Sequence, residues 1–159
     1  MIDSYCLCVL YMPTAKRKIY RNKTMRKRPT SASFEKEIVI KFMEMLLMVK
    51  LFHWKTHSYA THKATDELYG SLNDHMDKFV EVLLGKSGDR INLMKHKTIS
   101  LNDLDSQEKL KSSIESFKKY LIGLNKHSMM MSMENTDLMN IRDEILEDMN
   151  KFLYLLTFK

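Results

Sequence analysis

From Phe34 onward, apolar side chains recur at helical spacing. Phe34, Ile38, Val39, Phe42, Met43, Leu46, Leu47, Val49 and Leu51 predict a helix to about Lys55, with Ser33 available as its N-cap and Glu35 and Glu37 in its first turn. Its polar residues, Lys41, Glu44 and Lys50 among them, make too narrow a stripe for a helix with one wet side, so it should be contacted on most faces. A second helix is predicted from Tyr59 or Thr61 to Leu84, ending at Gly85, with Leu68, Leu72, Met76, Phe79, Val80 and Leu83 inward. Gly70 inside it costs up to ~1 kcal/mol relative to Ala, which suggests a close contact that wants a bare backbone. Residues 86–102 hold no sustained period, and a connection of that length inside one domain either crosses the bundle or carries a function. A third helix runs from Leu104 or Ser106 to Lys126 with Leu110, Ile114, Phe117, Leu121 and Leu124 inward. A fourth runs from Asn135 or Thr136 to the end through Leu138, Ile141, Ile145, Met149, Phe152, Leu153 and Leu156. At roughly 20 to 26 residues each the helices match in length, and the expected fold is an all-α, up-down four-helix bundle with a longer connection between helices two and three.

Composition supports helices and excludes alternatives. Four Gly and two Pro, against 14 Met, 44% apolar and 29% charged residues, leave too few turn-formers for a sandwich or barrel. A chain of 159 residues makes one domain, so separate cofactor and substrate halves are not expected. The net charge of +6 suggests an acidic partner until its location is considered. Residues 1–33 carry Lys16, Arg17, Lys18, Arg21, Lys23, Arg26, Lys27 and Arg28 against Asp3 alone, a net +7, which leaves −1 for the other residues. The expected organisation is a basic, disordered tail over 1–33, able to attract DNA, and a nearly neutral helical body over 34–159. Met12 and Met25 are alternative starts, since nothing upstream of Met25 shows a period or a cap.

Cys6 and Cys8 are the only cysteines and have no second Cys/His pair nearby, so neither a disulfide framework nor a structural zinc site is expected. The apolar run from Tyr5 to Met12 is far short of the ~20 residues of a membrane span, and its positive charges follow it instead of preceding it. A reducing, cytoplasmic location without membrane attachment is expected. The run Met129, Met130, Met131, Met133 reads as a pliable packing turn, with a thioether site for copper or iron as the alternative.

Chemistry concentrates in the second helix. At ~100° per residue, His62, Asp66, Asp77 and Glu81 fall near 0°, 40°, 60° and 100°, one face beside the apolar stripe. They form two i,i+4 pairs, each able to bite one ion, and His/carboxylate ligation suits iron, manganese or zinc. Asp66 and Asp77 lie 11 positions apart, about 16 Å along a helix, so they cannot share an ion within one subunit. Two copies packed antiparallel across a twofold axis bring His62 and Asp66 of one chain to Asp77 and Glu81 of the other, which predicts a symmetric dimer with two interfacial sites. The competing reading, ordinary solvated flank residues, is the default for an arbitrary helix, and His57, His75, His96 and His127 are left under it.

The order His53-Trp54, His62-x3-Asp66, Asp77-x3-Glu81, with its 11-residue step, resembles the ferroxidase region of the miniferritins called DNA-protection-during-starvation (Dps) proteins. Residues 135–138 and 145–156 resemble that family's last helix, so the likeness spans most of 34–158. The resemblance implies a ferritin-like bundle, twofold dimers building a dodecameric shell, and Fe(II) oxidation by peroxide or oxygen with mineral storage that protects nucleic acid. It implies His53, His62, Asp66, Asp77 and Glu81 as iron ligands and Trp54 as a radical-quenching neighbour. Zinc or manganese in place of iron, and a DNA-packaging bundle without ferroxidase activity, are the alternatives. Two features depart from the family: the segment between His53 and His62 is about three residues short and lacks its glycine, and Val82 follows Glu81 where Arg is usual. Relatives of this type also occur among proteins of large DNA viruses, for which the virion is the corresponding location.

Overall fold

Two antiparallel helix pairs make up the described part of the chain. Helix α1 (Ser31–Lys55) and α2 (Tyr59–Ser87) are joined by residues 56–58, and α3 (Gln107–Gly123) and α4 (Thr136–Leu155) by two 3-10 turns, Leu124–Lys126 and Met133–Asn135. The structure is a computed structural model that describes residues 31–96, 98–131 and 133–158. All eight basic residues assigned to the tail, from Lys16 to Arg28, lie outside the described residues, as do both cysteines.

Local chemistry sets the boundaries. Ser58 caps α2 by accepting from the Thr61 amide at 3.3 Å, and Ser106 caps α3 by accepting from the Lys109 amide at 3.3 Å. Helix α2 runs through Gly85 and ends at Gly88, whose φ of 73° lets its N–H reach the Leu84 carbonyl at 2.9 Å. The expected stop at Gly85 is therefore corrected by three residues: a glycine ends a helix only where the backbone turns left-handed. Ser33 lies inside α1 and is not its cap, and residues 31–33 belong to the bundle and not to the tail. The lengths of 25, 29, 17 and 20 residues are less even than expected, because α3 tightens into a 3-10 turn after Gly123.

Side-chain ties fix the directions. Lys55 pairs with Asp103 at 2.7 Å, Thr61 donates to Gln107 at 3.4 Å, and Gln107 donates to the Leu156 carbonyl at 3.3 Å. These gather the end of α1, the starts of α2 and α3 and the end of α4 at one pole. Lys86 with Asp137 at 3.0 Å, and Arg142 donating to the Leu121 carbonyl at 3.2 Å, mark the other pole. The connection 88–106 thus travels the length of the bundle, and α3 runs parallel to α2, which corrects the expected up-down order to up-down-down-up with one long crossover. Helices α2 and α3 stand diagonal, as do α1 and α4, so every neighbouring pair is antiparallel and their dipoles oppose favourably.

The core matches the predicted stripes of α2, α3 and α4: Leu72, Phe79, Leu110, Ile114, Leu121, Leu138, Ile145 and Met149 are buried, each contributing roughly 1.5–3 kcal/mol. Helix α1 differs. Met45 and Met48 turn inward, while Met43 and Leu47, assigned to the core from the pattern, are exposed. Because α2 and α3 are the only described helices that α1 packs against, it leaves an outer stripe of Met43, Leu47 and Trp54 exposed, contrary to the expectation of contact on most faces. In the methionine run, Met130 enters the core and Met131 is exposed, so the two do not converge on one point. No helix among the described residues is long and apolar enough to cross a membrane.

Candidate metal centre

Residues 56–58 are just long enough to reverse the chain, which places the last turn of α1 beside the first turns of α2. His53 and His62 stack there with ring centroids 3.9 Å apart and planes 24° from parallel. The rings lock each other through the backbone: Nδ1 of His53 donates to the His62 carbonyl at 3.1 Å, and Nδ1 of His62 donates to the His53 carbonyl at 3.1 Å. A carbonyl oxygen only accepts, so each Nδ1 carries a proton, and in the neutral imidazole the lone pair is left on Nε2. That is the tautomer a metal-ligating imidazole needs, with the second nitrogen held by a carbonyl.

Thr65 completes this lock. Its side chain is fully buried, its hydroxyl donates to the Thr61 carbonyl at 2.8 Å or the His62 carbonyl at 3.0 Å, and its oxygen lies 3.3 Å from Nδ1 of His53. Asp66, one turn beyond His62, brings Oδ1 to 3.8 Å from Nε2 of His53. Two ligands each about 2.1 Å from one ion stand about 3.0 Å apart at a right angle and about 4.2 Å apart when opposed, so this gap fits a shared first-row divalent ion. Lys50 lies 3.9 Å from the same carboxylate and over the ring of Tyr69 at 4.7 Å.

The structure therefore places His53 beside His62 and, separately, within 3.8 Å of Asp66, and keeps Asp77 and Glu81 apart from them. Both of the latter are exposed, further down the same outer face of α2. Trp54 is 69% exposed, with the Lys50 ammonium 5.8 Å from its ring. Val82 packs half-buried against the core. Among the described residues of a single chain, no three His, Cys, Asp or Glu side chains are grouped closely enough to hold an ion. Of the remaining histidines, His75 pairs with Asp148 at 2.7 Å, tying α2 to α4, and His127 stacks on Phe34 at 4.4 Å. The sequence reading missed Thr65 and Lys50. Their signal was available, since Thr65 is three positions after His62 and Lys50 three before His53, the spacing of neighbours on a helix.

The chain belongs to a family of unknown function, DUF5856, whose family model matches residues 53–156, from the first candidate histidine to the end of the last helix. No curated protein and no solved structure matches it.

Proposed function

We propose that this member of a family of unknown function is a ferritin-like iron protein that oxidises Fe(II) at sites shared between two subunits. The observation that carries the reading is the reciprocal histidine lock, which holds both rings by Nδ1, with Asp66 at ligand-pair distance from Nε2 of His53. The up-down-down-up order with its one long crossover supports it, since ferritin-like bundles use one such connection. The short segment after His53 is compatible with the site, because it is what lets the two rings stack.

In this reading His53, His62 and Asp66 hold ferrous iron from one side, and Asp77 and Glu81 of the partner subunit close the site, with Glu81 bridging. Carboxylates favour the ferric state by charge. Two ferrous ions each give up one electron, and one peroxide accepts both as its O–O bond breaks to two hydroxides. Ferric product then collects as mineral inside an assembled shell, and iron is the substrate. Zinc or manganese would occupy the same donors without turnover. Replacing Asp77 and Glu81 together with Ala should abolish peroxide-driven Fe(II) oxidation, followed by absorbance of the ferric product; an unchanged rate refutes the assignment.

A second reading rests on the charge division, +7 in residues 1–33 against −1 elsewhere. Displayed in many copies, such a tail multiplies a weak phosphate attraction, giving DNA binding with steep salt dependence. Chains beginning at Met1 and at Met25 should differ in gel-shift affinity; equal binding clears residues 1–24 of that role.

A further inference from the structure

The subunit pairing proposed above, on which this inference rests, fixes a register for two α2 helices. With His62 against Glu81 of the partner subunit and Asp66 against the partner's Asp77, antiparallel helices cross midway, between Ser71 and Leu72. Gly70 then faces the partner's Asn73, twice over. Measured from His62 at ~100° per residue, the four ligands centre on about 50°, and Gly70 at about 80° and Asn73 at about 20° flank that line at the crossing.

Nothing inside the subunit uses this glycine. It is exposed in the middle of a 29-residue helix, it has no positive φ, and a Cβ added there meets no atom within 4 Å. An alanine would favour the helix by about 1 kcal/mol. The site, however, needs close helices. Asp66 and Asp77 have short side chains, and both must bind one ion at about 2.1 Å from opposite helices, which calls for the low end of the usual 8–10 Å axial separation, roughly. A bare backbone at the crossing permits that approach. The same face carries the uncovered Met43, Leu47 and Trp54, and a groove of about 270 Å³ lined by Met43, Leu46, Met76 and Val80 beside Asp77, all of which a second copy would cover.

We infer that Gly70 is the point where a second copy of this chain crosses, and that its missing side chain sets the helix separation and so the bite of both metal sites. Gly70 is a positioning residue. The test compares the full chain with Gly70→Ala, Gly70→Leu and, as a control, Gly123→Leu, at an exposed glycine of α3 whose Cβ also meets nothing. Sedimentation velocity reads assembly, Co(II) titration reads the sites, and thermal melting reads the fold. Gly70→Leu should weaken both assembly and Co(II) affinity about tenfold or more without lowering the melting temperature, since overpacking at a fitted contact is costly. Gly70→Ala should show a smaller loss of the same kind with a raised melting temperature, and Gly123→Leu no loss. Wild-type assembly and Co(II) binding by both Gly70 variants overturn the crossing contact and leave the shared site standing. A wild-type chain that stays monomeric with Co(II) present overturns both.

Discussion

Replacing Thr65 with Val separates the fold from the proposed metal site, because the hydroxyl bonds helix carbonyls and also lies against Nδ1 of His53. Val keeps the shape and the β-branch, so packing and helix preference change little. The change removes one hydroxyl-to-carbonyl bond, to Thr61 at 2.8 Å or His62 at 3.0 Å, and one of two acceptors for Nδ1 of His53. His62's carbonyl still accepts from His53, at 3.1 Å, so no buried group is stranded. The stability loss is thus that of one net hydrogen bond, about 0.5–1.5 kcal/mol, or about 2–5 °C in melting temperature. Metal affinity responds more strongly. Loss of an outer partner of a ligating histidine typically costs 10–100-fold, and with the stronger acceptor retained the expected loss is about tenfold. Anaerobic Fe(II) or Co(II) titration and a thermal melt of the same preparation read both numbers. Unchanged affinity together with the expected drop in melting temperature would show that His53 holds no metal. A stability loss above about 4 kcal/mol would show that the hydroxyl is a structural element, not a positioning one.

Two further outcomes follow from the same contacts. Lys50→Gln removes a cation 3.9 Å from Asp66 that would compete with a bound metal for it; because Asp66 is half exposed and the pair screened, divalent affinity should tighten only about 1.5- to fivefold, and weaker binding contradicts the competition. Burial, and then the charge of Glu37, hold the Tyr120 phenol above its ordinary range, so the folded chain keeps that proton to higher pH than the unfolded one. Its contribution is complete below pH ~10 and is lost as pH rises beyond it; Tyr120→Phe should flatten the alkaline loss of stability in urea unfolding, and identical slopes in the two chains refute the assignment.

The amphipathic stretches were legible in the sequence because three of the helices carry a single apolar stripe: Leu72, Phe79, Ile114, Leu121, Ile145 and Met149 are inward in both readings. Helix α1 has apolar residues around most of its circumference, so periodicity alone could not choose Met45 and Met48 over Met43 and Leu47; having only two neighbouring helices made the choice. Nor does a connection's length say whether it crosses, and the direction of α3 came from ties such as Gln107 to Leu156. At the site, the spacings placed His62 and Asp66 on one face. The lock between His53 and His62 was invisible because its acceptors are backbone carbonyls, which carry no sequence signal. Asp77 and Glu81 are exposed and apart from His53, His62 and Asp66, so a role for them in the proposed site requires a second copy.

Mixing two broken chains tests the shared site most directly. One carries His62→Ala and Asp66→Ala, the other Asp77→Ala and Glu81→Ala, and each alone should bind no Fe(II) at the centre. Unfolded and reassembled together in equal amounts, half of the dimers pair unlike chains, and each of those rebuilds one of its two sites. About one quarter of the wild-type Fe(II) stoichiometry and of peroxide-driven oxidation should return. No recovery in verified mixed dimers, or full binding by either variant alone, would contradict a site built from two subunits.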